Sequence, residues 1–124
     1  SKDKLDFIKI TGNLEDIIRK SGIKDGLCHV FIPHTTAGVT VNEAADSDVV
    51  RDIKQELNKI VPFSDKYAHM EGNSAAHIKT SLVGSELSLP IEGGSLSLGT
   101  WQGVFFCEFD GPRRRKVYVS LISE

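Results

Sequence analysis

Imidazole side chains stand in two short polar segments of the sequence. The segment PHTTAG, residues 33–38, carries His34, and the segment HMEGNSAAHIK, residues 69–79, carries His69 and His77. Histidine is the usual general acid or base near neutral pH and a common metal ligand. The two segments therefore predict a site for acid–base or metal chemistry, provided that the fold brings them together.

The residues between His69 and His77 predict the start of a helix. Gly72 permits a tight turn, and Asn73 or Ser74 is a good N-cap residue. His77 then falls near the end of the first helical turn, where the positive end of the helix dipole disfavours the imidazolium. The unpaired amides of that turn are also a natural cradle for an anion. A capped helix with surface histidines would explain the same residues without a site.

Two hydroxyl side chains follow His34 where an apolar stretch ends. Thr35 and Thr36 precede an alanine and a glycine, so a loop is expected there. Polar loops at strand ends commonly carry binding groups. The alternative is a strand-ending turn held by threonine hydrogen bonds, and it is the better explanation if His34 stands alone.

A carboxylate without an obvious local role follows the next extended run. Asn42 and Glu43 end the apolar stretch GVTVNE, whereas Asp46 is explained by the helix start that follows it. Together with Glu43, the three histidines would make a three- or four-ligand site for Zn²⁺ or a similar ion, with His34, His69 and His77 as ligands. Their spacing matches no closed structural zinc motif, which favours an open catalytic or substrate site.

The only dense basic run is Arg-Arg-Arg-Lys at residues 113–116. The formal net charge is −2, and few aromatic residues interleave with the run, so neither nucleic acid nor a membrane surface is an expected partner. Arg113 and Arg114 would suit a phosphate, because the guanidinium fork matches phosphate oxygens. A solvated hairpin end is the better explanation for at least two of the four charges.

The length and composition indicate one ordinary globular domain. The chain has 124 residues, of which 40% are hydrophobic and 26% charged. No signal peptide or membrane-length apolar run is visible, and Cys28 and Cys107 form no CxxC pair. We therefore expect reduced thiols in a cytoplasmic protein. His29 lies inside an apolar strand, where we expect a hydrogen-bonded packing role.

Hydrophobic periodicity predicts the element order β-α-β-β-α-α-β-β-β-β. Helices are expected to begin near Gly12-Asn13, at Asp46-Ser47 and at Ser74, with Gly22 ending the first and Pro62 the second. Two hairpins are predicted in the last third, one around Glu92-Gly93-Gly94 and one around Gly111-Pro112. Clustered strands favour an α+β fold with a largely antiparallel sheet.

Four motifs in this order resemble the YjbQ family of small bacterial and archaeal proteins, often called secondary thiamine-phosphate synthases. The motifs are HTTAGVTVNEAAD, HMEGNSAAHIK, the LPI hairpin and GTWQGVFFCEFDGPRRR. The resemblance implies a single YjbQ-like domain over residues 1–124, with a curved antiparallel sheet or sandwich and two to three helices. It also implies a homotrimer with a polar cleft lined by His34, Glu43, His69, Asn73 and His77. A divalent metal such as zinc or magnesium is expected there.

The activity implied by the resemblance is a weak transfer that joins a pyrimidine diphosphate to a thiazole phosphate and releases pyrophosphate. The expected catalytic residues are His34, Glu43, His69 and His77. The residues expected to bind a phosphorylated substrate are Thr35, Thr36, Asn42, Gly72, Asn73, Ser74, Arg113 and Arg114. The alternative is a trimeric protein that binds a small ligand or metal without catalysis. A third interpretation is purely structural, with histidines that only cap and pack.

Overall fold

The computed structural model of the chain describes residues 4–69 and 72–124, so Met70 and Glu71 in the middle of the HMEGNSAAHIK motif lie outside it. The predicted order of strands and helices is confirmed. The elements are β1 (Asp6–Lys9), α1 (Thr11–Ser21), β2 (Gly26–Phe31), β3 (Ala37–Glu43), α2 (Ser47–Ile60), α3 (Ser74–Val83), β4 (Glu86–Glu92), β5 (Ser95–Leu96), β6 (Gln102–Glu108) and β7 (Tyr118–Ser123).

The strands form two antiparallel sheets. One has the order β1-β6-β3, and the other has the order β5-β4-β2-β7. The predicted α+β class with antiparallel pairing is therefore confirmed.

Strand β6 lies at the centre of the molecule because both of its faces are covered. Val104 and Phe106 belong to a core that also holds residues of α1, β2 and β4. Phe105 and Cys107 belong to a second core, against which residues of α2 and α3 pack. Burial on both faces explains why β6 is a nearly continuous apolar run instead of an alternating one.

The hairpin predicted around Gly111-Pro112 is wrong. Strand β6 pairs with β1 and β3, whereas β7 pairs with β2 in the other sheet. The segment between them, which contains a cis Gly111-Pro112 peptide, carries the chain from one sheet to the other. Glycine and proline mark a reversal equally well in a hairpin and in such a crossover.

The hairpin predicted around Gly93 is confirmed but short. Only Ile91 pairs with Leu96 and Glu92 with Ser95, because β5 has two residues. Leu87 and Leu89 pair with residues of β2 and not with β5. Glu15 of α1 binds the end of the hairpin instead, accepting hydrogen bonds from Ser95 Oγ at 2.6 Å and Leu96 N at 2.7 Å.

One of the three helix starts differs in detail from the predictions. Helix α1 begins at Thr11, so Asn13 lies inside the helix and does not cap it, and no acidic residue occupies its first turn. Gly22 ends that helix in the left-handed conformation at φ 76°, as expected. Asp46 caps α2 by accepting a hydrogen bond from Asp48 N at 2.9 Å, which confirms that start.

Within residues 4–69 and 72–124, no helix has both the length and the apolar character needed to cross a membrane. Cys28 and Cys107 are both buried and free.

Candidate functional site

A polar cavity lies where the chain crosses twice between the two sheets. The segment after β2 and the segment after β6 both make this crossing, and they meet beside the first turn of α3. We call the space between them the crossover cavity. Its volume is about 370 Å³, and it is lined by Pro33, His34, Thr35, Thr36, Asn73, His77, Arg113 and Arg115.

Arg115 joins the two crossing segments, because it pairs with Glu108 at the end of β6 and also binds Thr36 in the segment after β2. The side chain of Arg115 binds Glu108 through both ends of the carboxylate, with Nε donating to Oε1 at 2.8 Å and Nη2 donating to Oε2. Nη2 also donates to the carbonyl of Thr36 at 3.2 Å and to its hydroxyl at 2.8 Å. Glu108 is fully buried, and the Arg115 side chain is 9% exposed. A pair this enclosed fixes the cavity wall.

A second acidic residue holds the outer wall of the cavity. Asp110 Oδ2 accepts hydrogen bonds from Arg113 Nη2 at 2.7 Å and from Asn73 Nδ2 at 3.0 Å. The Asp110 carbonyl accepts a further bond from Arg113 Nε at 2.8 Å. One carboxylate oxygen therefore places the Arg113 guanidinium next to the start of α3.

Asn73 occupies the cap position of α3 but does not cap it. No hydrogen bond joins its side chain to the helix amides, because its amide group turns toward Asp110. Its Oδ1 atom is buried and has no hydrogen-bond partner in the part of the chain that the structure describes. Gly72, directly before it, has φ +77°, and this left-handed conformation is the tight turn that the sequence predicts.

His34 lies on the crossing segment after β2 and is held as a neutral imidazole. Its Nε2 atom accepts a hydrogen bond from the backbone amide of Lys116 at 2.9 Å, so the ring proton resides on Nδ1. Burial lowers the pKa of His34 below its usual 6.5, and the positive charge of Arg115 lowers it further. The bond ties the two crossing segments together a second time.

His77 and His69 are neighbours on the far side of the cavity. Their ring centroids lie 5.4 Å apart in an edge-to-face arrangement. His77 lines both the crossover cavity and an adjoining, mostly apolar cavity of about 380 Å³ that Tyr67, His69 and Ile78 also line. A ligand that extends from one cavity into the other would therefore pass His77.

Among the other predicted site residues, Ser74 lines only the adjoining cavity, whereas Gly72, Glu43, Asn42 and Arg114 line neither of the two. Glu43 accepts hydrogen bonds from the amides of Ala45 and Asp46 at the turn before α2, and it lines a different cavity. Asn42 Oδ1 accepts a bond from the Glu43 amide at 2.7 Å. Arg114 is exposed and is not among the residues that line the crossover cavity. The carboxylate at residue 43 was singled out for lack of a local role, and the turn provides one.

The predicted three-histidine metal site does not fit the observed positions. Among residues 4–69 and 72–124, no group of three His, Cys, Asp or Glu side chains is placed to hold a metal ion. His34 Nε2 already accepts a backbone amide, and only His69 and His77 lie next to each other. Metal binding itself stays a prediction, and we assign no step to a metal.

The structure adds Glu108, Asp110 and Arg115 to the candidate site, and none of the three was predicted from the sequence. The signal was present in the stretch FFCEFDGPRRR, where two carboxylates interrupt a strongly apolar run. A carboxylate in such a run requires a buried partner, and three arginines follow within seven residues of Glu108.

Comparison with known proteins gives matches to a single family. The profile of the family described as UPF0047 protein YjbQ-like matches residues 1–124. A UPF0047 protein of Methanocaldococcus jannaschii is 48% identical over 119 residues, covering 96% of this chain and 86% of the relative. YugU of Bacillus subtilis, also a UPF0047 protein, is 45% identical over 118 residues, covering 94% and 89%.

Solved structures agree with the fold. A YjbQ/UPF0047 family protein from Clostridium acetobutylicum superimposes with a TM-score of 0.96 at 53% identity, covering 98% of this chain and 95% of the other. A protein of unknown function from Sulfolobus solfataricus superimposes with a TM-score of 0.95 at 33% identity, covering 100% and 91%. The chain belongs to the YjbQ-like UPF0047 family.

Proposed function

We propose that the chain binds a phosphorylated small molecule in the crossover cavity. The observation that carries the proposal is the meeting of the Arg113 guanidinium and the first turn of α3 at one polar cavity. Each is a recognised anion-binding group, and together they favour a ligand with several charged oxygens. The hydroxyls of Thr35 and Thr36 lie on residues that line the same cavity.

The two arginines of the cavity have different roles in this proposal. Arg115 is enclosed and bonded to Glu108 and Thr36, so it shapes the wall. The Arg113 side chain is 53% exposed and borders the open part of the cavity. Arg113 is therefore the arginine that contacts the ligand.

The finer proposal is a weak thiamine-phosphate synthase activity, which the family resemblance suggests. Such a reaction releases pyrophosphate, whose developing charge needs a fixed positive environment. Arg113 and the amides at the start of α3 supply it here. His77, between the polar and the apolar cavity, is placed to exchange a proton with a ligand that spans both. Non-catalytic ligand binding is the alternative.

A matched pair of arginine variants tests the binding proposal. Isothermal titration with inorganic pyrophosphate should show one site per chain, and Arg113→Gln should weaken it at least about tenfold, because charged hydrogen bonds are lost. Arg114→Gln removes the same charge from a neighbouring exposed residue and should have little effect. Equal losses of pyrophosphate affinity in both variants, or no pyrophosphate binding by the wild type, would contradict the proposal.

A genetic assay separates catalysis from binding alone. Expression of the chain in a thiamine auxotroph that still makes both precursors should restore growth, and His77→Ala should not, while it keeps pyrophosphate binding. Pyrophosphate binding without growth rescue by the wild type would favour the non-catalytic alternative.

We further propose that the chain forms a homotrimer through the outer face of the four-stranded sheet. Large apolar side chains stand exposed on neighbouring strands of this face: Leu27 (43%), Phe31 (38%), Tyr118 (53%) and Ile122 (58%). Phe31 and Tyr118 stack with ring centroids 6.4 Å apart. An apolar surface of this kind favours association of copies.

The buried thiols of Cys28 and Cys107 are free, which suits the reducing cytoplasm as the location of the chain.

A further inference from the structure

The unpaired oxygen of Asn73 indicates what kind of anion the cavity accepts. The residue is 9% exposed, and among the described residues Oδ1 has no hydrogen-bond partner. Buried polar atoms are rarely left in this state, so each exception requires an explanation. The usual explanation for an asparagine before a helix, capping, does not hold here.

The orientation of the Asn73 amide group is fixed by its neighbour. Nδ2 donates to Asp110 Oδ2 at 3.0 Å. Exchanging the two ends of the amide would bring Oδ1 against a carboxylate oxygen, and both atoms accept hydrogen bonds. The unpaired atom is therefore an acceptor that requires a donor.

The surroundings of that acceptor attract an anion. Arg113 Nη2 and Asn73 Nδ2 bind the same oxygen of Asp110, so an anion at Arg113 lies beside Asn73. Asn73 also immediately precedes the first turn of α3, where the helix dipole favours negative charge. One ligand group must therefore donate a hydrogen bond to Asn73 Oδ1 and also carry negative charge toward Arg113 and α3.

We infer that the cavity selects a phosphate group that carries a proton, with its P–O–H donating to Asn73 Oδ1 while its charged oxygens face Arg113 and α3. This inference rests on the proposed function and narrows it to a ligand class. Oδ1 is enclosed in the unliganded chain, so cavity side chains must shift for the contact to form. The Arg113 side chain, which is 53% exposed, is one of the exposed side chains of the cavity wall.

Phosphate and sulfate provide the test because they share size and shape. Inorganic phosphate keeps at least one proton at pH 7, whereas sulfate has none. Titration calorimetry at constant ionic strength should show phosphate binding about tenfold more tightly than sulfate, since sulfate would place an acceptor against Oδ1. Equal affinities would overturn the inference and leave the proposed function standing. Binding of neither anion would overturn both.

Two variants identify the source of the preference. Asn73→Ala should reduce the phosphate-to-sulfate ratio to about one, because it removes the acceptor. Any indirect effect through Asp110 and Arg113 would weaken both anions alike and leave the ratio unchanged. Arg113→Gln, the control, should weaken both anions and preserve the ratio. A folded Asn73→Ala protein, checked by thermal unfolding, that retains the full preference would overturn the inference.

A third probe distinguishes a phosphate monoester from inorganic phosphate as the source of the protonated phosphate group. At about pH 5, where methyl phosphate keeps one proton, its binding in the same cavity with the same dependence on Asn73 would identify the ligand as a phosphate monoester in its protonated form. Failure of methyl phosphate, where inorganic phosphate binds selectively, would identify inorganic phosphate itself.

Discussion

At the scale of single residues, burial lowers the pKa of two basic side chains, His34 and Lys79. His34 loses hydration where the two crossing segments meet, and it uses its unprotonated nitrogen to hold the Lys116 amide. Lys79 is fully buried in α3, and its ammonium group donates to Asn58 Oδ1 at 2.6 Å. The ammonium also lies 4.7 Å from the ring centroid of Phe63, and no carboxylate of the described residues pairs with it.

The lowered pKa of His34 should make stability depend on pH. As the pH falls through 6.5, the unfolded chain takes up a proton before the folded chain does, so the free energy of unfolding should decrease. His34→Gln keeps an acceptor for the Lys116 amide and removes the titration. Denaturation at pH 7.5 and pH 5 should therefore show that the free energy of unfolding falls less in His34→Gln than in the wild type or in the His29→Gln control. An unchanged loss would contradict this account.

Burial likewise lowers the pKa of Lys79 below its usual 10.5. The unfolded chain then binds more protons than the folded chain between the two values, so stability should rise with pH in that interval. Lys79→Met should abolish this rise and stabilise the fold at pH 7 by about 1 kcal/mol, because a buried charge is removed. The exposed Lys59→Met serves as the control. Destabilisation by Lys79→Met at neutral pH would show that the ammonium group is favourable.

At the scale of elements, the cavity depends on Arg115, which pairs with Glu108 at the end of β6 and binds Thr36 in the other crossing segment. Removing one member of a buried ion pair leaves an uncompensated charge, so Glu108→Gln and Arg115→Met should each cost about 3–5 kcal/mol. The double variant should cost less than the sum of the two. A double-mutant cycle by urea denaturation measures the difference, and strict additivity would mean that the two side chains do not stabilise each other.

Local patterns predict elements better than they predict which elements meet. The order of all strands and helices follows from periodicity and from capping residues such as Asp46, because these act over a few neighbouring positions. The assignment of β6 and β7 to different sheets does not follow from local patterns, because Gly111-Pro112 is equally typical of a hairpin and of a crossover between sheets. The same limit applies to the site: the structure brings His34, Asn73 and His77 to one cavity, whereas Glu43 lines another, and their functional roles stay predictions. The partners of a carboxylate depend on tertiary contacts.

At the scale of the whole molecule, the outer face of the four-stranded sheet predicts the assembly. Light scattering should give the mass of a trimer for the wild type. Ile122→Asp should give a monomer, because a charge would be buried in the interface. Lys20→Asp, an exposed change on α1, is the control and should remain trimeric. A wild-type monomer, or a trimer that tolerates Ile122→Asp, would contradict the proposed interface.

The location of anion binding is the measurement that tests the central claim most directly. In a titration of the isotope-labelled chain with phosphate, followed by amide NMR, shifts should concentrate on the residues that line the crossover cavity: His34, Thr35, Thr36, Asn73, His77, Arg113 and Arg115. Arg113→Gln should suppress them. Phosphate-dependent shifts confined to another surface, or none at millimolar phosphate, would contradict the claim that this cavity is the functional site.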